Sequence, residues 1–415
     1  MTNKSRLLHP VLIFNVVWLG VMTLFLMRFS KVLNATNRQI TSAVGLILIP
    51  YTLTLGVSAL YFRLVPKLKA DRNHLLCDMS QMEELSILTG RLKWWIFFWA
   101  VFSFAEILAS GGVPLVWAVT GNSKTYFDFG IQSLHGLLNS LILAIGLTYT
   151  GIFVRYGGRR YLLGPLGVLA WSILLITRSM MIVDLLQSAM VVVLYKGISK
   201  KIATRLVVAV ILVTVGFGAI GDLRTGAINF RTLAQPTDAY PDWLPSGFLW
   251  VYIYVTTPLN NLAYTIASSH PVDNILFPNT AAPLFPHIVR DAIYGDSLAT
   301  SLSGELVDSA FNVSTAYVGP FQDYGSLGIV SFSVLIAAFA GFYWRRSNFR
   351  DQLIYVVIGQ CLFMTIFYNH FFSLPVITQI IWIYLFFLKS RSKNPSETAV
   401  GGRENFSLNT HSLGA

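Results

Sequence analysis

Three arginines stand where apolar sequence gives way to polar sequence. They are Arg178 in "LLITRSMMIVD", Arg224 in "GAIGDLRTGAINF" and Arg290 in "PHIVRDAIYGDS". A guanidinium binds phosphate as a two-pronged fork, so such positions suit a phosphate or diphosphate ligand. Two carboxylates, Glu106 and Asp323, also border apolar runs, and two histidines, His135 and His287, lie in similar settings. A carboxylate or imidazole beside a hydroxyl can act as general base. His287, a candidate sugar ligand, precedes Arg290 by three residues, close enough to share a helix face. Each residue also has a plainer reading. The arginines could pair with Asp184, Asp222 or Asp291 or extend to a membrane surface, the carboxylates could form ion pairs inside a bundle, and the histidines could be structural.

The polar stretch "NVSTAYVGPFQDYGSLG", from residue 312, runs straight into an apolar segment. Asn312, Ser314, Thr315, Tyr317 and Tyr324 would make a hydrogen-bonding wall suited to sugar hydroxyls, with Asn260 and Asn261 of "TTPLNNLAY" as further candidates. Pro320 stops a helix from running in from Asn312. Irregular polar backbone at membrane depth is tolerated only when buried in protein or lining a wet cavity. The alternative is a helix start with Asp323 as its N-cap, which leaves the upstream polar run unexplained. "NVS" also has the form of a glycosylation sequon, which needs a secretory host.

The elements that must hold these residues follow from composition. The 415 residues are 54% hydrophobic and 12% charged, with mean hydropathy +0.60. Soluble domains carry about 25% charged residues. Ten apolar runs fit membrane spans, at about 10–28, 43–62, 94–110, 131–154, 161–177, 179–195, 202–221, 325–344, 352–369 and 373–389. The fold class expected is therefore an all-α polytopic membrane protein. It divides into an N-terminal bundle of about seven spans (1–221), one large loop (222–311) with interfacial or re-entrant helices, a C-terminal part of about three spans (312–389) and a disordered tail (390–415). Within the loop, residues 248–269 are too polar and proline-broken for a good span and suit a helix lying over the bundle.

The net charge of +11 has a simple source. With the N-terminus inside, only Arg28, Lys31, Arg38, Lys124, Arg178, Arg224, Arg231 and Arg290 of the 30 basic residues fall in outer segments. That is the positive-inside pattern, and it removes the need for a nucleic-acid partner. Lys4 and Arg6 precede a first apolar run too long for a signal h-region, so a retained anchor is expected. Cys77 and Cys361 fall in different settings, and no disulfide or cysteine metal site is expected. There is no HExxH, paired DxD, P-loop or CxxC, so no metal, nucleotide-sugar or ATP site and no cofactor is expected.

The segment from Asn312 to Gly328, with its Asn/Ser/Thr, Pro-Phe, Asp-Tyr-Gly and Gly signature, resembles that of bacterial oligosaccharide repeat-unit polymerases, the Wzy or O-antigen polymerase family. "SGGVPL" after the third span, the Thr177–Arg178 turn and "TTPLNNLAY" are similar to features of the same family. The resemblance covers roughly residues 90 to 345. It implies a GT-C-like glycosyltransferase of the bacterial inner membrane with a periplasmic active site. Such an enzyme transfers the growing glycan from undecaprenyl diphosphate to the next lipid-linked repeat unit, without nucleotide sugar or metal. It also implies membrane lipid and a chain-length regulator protein as partners. On this reading Arg178, Arg224 and Arg290 hold diphosphate, residues 312–324 line the sugar cavity, and Asp323, Glu106 or His135 acts on the acceptor. An O-antigen ligase and a polysaccharide flippase or transporter are the alternatives.

Overall fold

A computed structural model describes residues 6–64, 78–225, 227–241, 243–268, 271, 276–295 and 303–388. Cys77, Asp242, Asp273, Asp296 and the tail from 390 lie outside them. The regular elements among the described residues are helices; the one β feature is an isolated bridge between Ser30 and Pro236. The α-helices are α1 (Pro10–Leu26), α2 (Asn37–Leu64), α3 (Asp78–Ser110), α4 (Pro114–Thr120), α5 (Leu134–Tyr156), α6 (Leu163–Leu174), α7 (Arg178–Lys196), α8 (Lys200–Thr225), α9 (Ala227–Ala234), α10 (Ser246–Ser268), α11 (Pro278–Ala281), α12 (His287–Tyr294), α13 (Val318–Arg345), α14 (Phe349–Met364) and α15 (Leu374–Phe386).

Among the described residues, five segments are long and apolar enough to cross a membrane: Asn37–Tyr61, Leu85–Thr120, Leu134–Tyr156, Arg178–Lys196 and Val318–Arg345. Pro10–Leu26 and Leu374–Phe386 are shorter apolar helices. The chain is thus an all-α membrane protein. The run expected at 161–177 holds α6, whose 12 residues rise about 18 Å on the way from the end of α5 to the start of α7. Several boundaries also shift. α3 begins at Asp78 rather than near 94, and α8 runs on to Thr225 rather than ending at 221. In α13 a short helical piece from Val318 precedes a break at Tyr324 and Gly325, after which the long apolar helix starts near 325 as expected.

Polar and aromatic contacts knit the helices. Phe14 of α1 stacks on Tyr51 of α2 at 3.8 Å. Ser140 of α5 accepts from Thr378 at 2.8 Å and from the Trp382 indole at 3.0 Å, tying α5 to α15. At one end, the ends of α5 and α7 meet the start of α14: Tyr156 and Tyr195 both pack on Phe349, with Arg155 over the same ring. Lys196 sits over Phe153, and Arg91 of α3 donates to the carbonyl of Phe386 at the end of α15. Arg91, Arg155 and Lys196, basic residues of the expected inner segments, therefore lie at this end.

The other end carries the starts of α5, α7, α13 and α15, the ends of α3 and α6, and the connections between them. α10 lies across it. Tyr252 accepts from the backbone N–H of Phe29, and Asn260 accepts from that of Ala35, both in the α1–α2 connection. At its start Gly247 abuts Gly218 and Thr214 of α8, and Trp250 stacks on Phe230 of α9 at 3.4 Å.

Candidate functional site

Two polar clusters occupy this second end. The first joins α3, α5 and α6. Glu106, in the last turns of α3, is fully buried. Its Oε2 lies 3.2 Å from His135 Nδ1, and its Oε1 accepts from the backbone N–H of Ile131 at 3.1 Å. One turn below His135, Asn139 Nδ2 lies 2.9 Å from His135 Nε2, and the Trp171 indole donates to Asn139 Oδ1 at 3.0 Å.

This chain fixes the histidine tautomer. An indole N–H only donates, so the Asn139 oxygen must face Trp171 and its amide N–H groups must face His135. Nε2 is then the acceptor, and the ring proton sits on Nδ1, donated to Glu106. The imidazole is 26% exposed while its carboxylate partner is fully buried. A lone pair on Nε2, oriented from behind by a carboxylate, is the arrangement of a general base.

The loop 111–133 folds over this corner. Ser110 Oγ accepts from Gly130 N–H at 2.9 Å, and Lys124 Nζ donates to the Ser110 carbonyl at 2.8 Å while lying over Trp117. A capping box between Thr125 and Asp128 closes the turn. Hydrogen bonds from the Thr125 backbone and hydroxyl hold the exposed Asp128 carboxyl below its ordinary value. Beneath lies an apolar cluster of Trp117, Phe129, Ile142, Val168, Trp171, Leu175 and Met180. Arg178 leaves this cluster as the first residue of α7, between Leu175 and Met180, and is half-buried.

The second cluster centres on Asp323, also fully buried. Oδ1 accepts from the backbone and side-chain N–H groups of Asn279, each at 2.9 Å. Oδ2 accepts from the Thr280 N–H at 2.8 Å and its hydroxyl at 2.6 Å. With four donors in place, the carboxylate is saturated. Its geometry makes it a clamp on residues 279–280 rather than the base, or the N-cap of its own helix, expected from sequence. Tyr324, half-buried, packs on Phe277 at 4.7 Å and so braces the same joint. α13 is broken here: Tyr324 and Gly325 leave helical geometry, Gly325 with φ 57° and ψ −140°, which strongly favours glycine. A Cβ on Gly328 would fall 1.8 Å from the Pro320 carbonyl oxygen, so the break folds the first turn back over the next.

The expected sugar wall is mostly internal. Tyr317 is fully buried; its hydroxyl accepts from Ser333 at 3.2 Å and its ring packs edge-on against Trp18 at 5.5 Å. Thr315 is buried and its hydroxyl accepts from Tyr317 N–H. Ser314 is buried as well, its Oγ without a hydrogen-bond partner, and Asn312 is exposed. Asn260 donates to Asn34 at 3.2 Å besides accepting from Ala35. Asn261 donates to the carbonyls of Phe311 and Val313 at 3.0 and 2.9 Å and accepts from Val307 N–H at 3.0 Å. Both amides staple connecting chain to α10, which corrects their reading as sugar ligands; the buried Thr315 and Tyr317 are corrected likewise.

Arg290 on α12 lies 3.3 Å from Asp291, the ion-pair alternative. Arg224 is in α8 and His287 opens α12, with side chains outside the described set. Geometry therefore joins Glu106 to His135, places Arg178 at the edge of the apolar cluster beneath them, and centres a separate cluster on Asp323. Sequence reasoning passed over Asn139, Trp171, Asn279 and Thr280. The four-residue step from His135 to Asn139 was a usable signal; the partners of Asp323, more than forty positions away, left none. Compared with protein-family models, with curated proteins and with solved structures, the chain has no significant match in any of the three.

Proposed function

We propose that this chain is a membrane glycosyltransferase of the O-antigen repeat-unit polymerase type. It would span the bacterial inner membrane about ten times in a GT-C-like bundle, with its His135 end toward the periplasm. Its substrates would be two undecaprenyl-diphosphate-linked oligosaccharides. The observation that carries the reading is the Glu106–His135 pair, with Asn139 and Trp171 behind it, at the end of the bundle where α7 begins with Arg178.

In this mechanism an acceptor hydroxyl takes the place of the Asn139 amide at His135 Nε2. Nε2 removes its proton as the hydroxyl oxygen attacks the anomeric carbon of the donor. Glu106 stabilises the imidazolium that forms. The bond from the anomeric carbon to the lipid diphosphate breaks, and the Arg178 guanidinium offsets charge on the departing diphosphate. The leaving group is already good, so positioning and charge stabilisation supply much of the rate, and the base adds about 10²- to 10⁴-fold. Asp323 contributes by holding residues 279–280 against α13.

The test is lipopolysaccharide gel analysis of a deletion strain complemented with wild type, His135→Ala or Arg178→Ala, with protein amount checked. Core plus one repeat in the deletion, unrescued by either variant, supports the reading; full ladders from both variants reject the site. Core with no repeat points to a ligase or flippase instead. The transport alternative draws on one observation, the buried Asp184 within α7.

A further inference from the structure

An ionisable side chain inside a membrane bundle is costly and calls for a partner or a function. Asp184 is such a residue. It lies six positions into α7 and is 3% exposed. Oδ1 faces α5 at Gly146, where a Cβ would come within 3.6 Å of it and within 2.5 Å of Val168 from α6. Oδ2 is buried and receives no hydrogen bond. Among the described residues no ion pair reaches it.

Its surroundings are polar but uncharged. One turn along α7, Ser188 meets Thr150 of α5, oxygen to oxygen at 3.5 Å. On the same face of α7, Gln187 exchanges amide hydrogen bonds with Gln379 of α15 at 3.0 and 3.2 Å and reaches Gln360 of α14 at 3.5 Å. Gln360 in turn lies 3.4 Å from His370 Nδ1, and His370 Nε2 is again buried and without a partner. The titratable groups facing this core are few. α5 has Tyr149 between His135 and Arg155, α6 has none, α14 offers Cys361 and Tyr355, and α15 offers Tyr384 nearer the basic end. None supplies a positive charge at the level of Asp184.

A bare carboxylate in this setting carries a desolvation penalty that hydrogen-bonded amides elsewhere do not repay. One positive charge would neutralise it, while a divalent ion on a single carboxylate would leave an excess charge in the same low dielectric. The Ser188 and Thr150 hydroxyls, one turn along α7, are oxygen donors of the kind a hard cation takes. We propose that Asp184 anchors an intramembrane site for one monovalent cation, either a proton or an alkali-metal ion. The inference is independent of the glycosyltransferase reading.

The experiment uses full-length protein in lipid nanodiscs. Thermal unfolding is followed in sodium, potassium or choline chloride at constant ionic strength, and infrared spectra are taken for the carbonyl stretch of a protonated carboxylic acid. A midpoint that rises with one alkali ion over choline, and does not in Asp184→Asn, identifies the metal-ion form. A carboxylic-acid band in wild type that Asp184→Asn removes identifies the proton form. Asp184→Glu, which should shift that band, serves if Asp184→Asn does not fold. Wild-type protein with neither the alkali response nor the band overturns the proposal.

Discussion

Asp323 and Thr280, forty-three residues apart, share two hydrogen bonds through one carboxylate oxygen, 2.8 Å from the backbone N–H and 2.6 Å from the hydroxyl. Asn279 occupies the other oxygen in the same way. Substituting Asn for Asp323 turns one end of this acceptor into a donor facing donors. Each buried donor left unpaired costs about 1–3 kcal/mol. Asp323→Asn should therefore lower the thermal midpoint of the purified protein and lose activity together with stability. Normal stability with lost activity would return Asp323 to the role of base.

The Glu106–His135 pair should behave in the opposite way. His135→Ala removes the group assigned as base, and transfer should fall by about 10²- to 10⁴-fold. Glu106→Gln keeps the shape but no longer stabilises an imidazolium, so it should fall between wild type and His135→Ala. His135→Asn, which keeps a side-chain donor toward the buried Glu106 carboxylate but no base, should lose transfer like His135→Ala with a smaller change in melting. The check is single-turnover transfer between lipid-linked oligosaccharides. Wild-type rates in His135→Ala and Glu106→Gln would remove the dyad from the mechanism.

Much of the architecture was legible because apolar runs and charge bias are local properties of the chain. α1, α2, α5, α7, α13 and α15 lie where the hydropathy placed them, with edges moved by several residues. α6 is shorter than its apolar run because Tyr161, Leu162 and the residues after Leu174 are apolar without being part of the helix. The site was harder. Glu106 and His135 could be named from their types, but their contact joins two helices across a 29-residue separation. The polar run from Asn312 suggested ligand chemistry because its partners could not be seen. Tyr317 finds Ser333, Ala316 N–H finds the Thr365 carbonyl, and Asp323 finds Asn279 and Thr280. A buried polar side chain satisfied by distant backbone looks, in sequence, just like one awaiting a substrate.

Gly325 and Gly328 give a test of the break in α13. Gly325→Ala places a side chain at φ 57° and ψ −140°, a strain of about 1–3 kcal/mol. Gly328→Ala must displace the Pro320 carbonyl, 1.8 Å from the new Cβ, and should be the more damaging of the two. Both should reduce the thermal midpoint, with Gly328→Ala also lowering the amount of folded protein in the membrane. A Gly328→Ala protein as stable as wild type would mean that α13 continues unbroken past Tyr324.

Asn261 separates a structural amide from a sugar ligand. Its side chain bonds three backbone groups of residues 307–313, holding that segment against α10 from within a fully buried site. Asn261→Ala leaves those groups without their partner while touching neither His135 nor Arg178. The segment should then open, and limited proteolysis should cut between about 303 and 313 faster than in wild type, as local protection falls with the loss of buried hydrogen bonds. Asn261→Asp retains the acceptor for Val307 but not the donors to Phe311 and Val313, so it should lie between the two. A direct sugar contact would instead weaken acceptor binding with proteolysis unchanged. Cleavage and transfer, measured on the same preparations, distinguish a staple from a ligand.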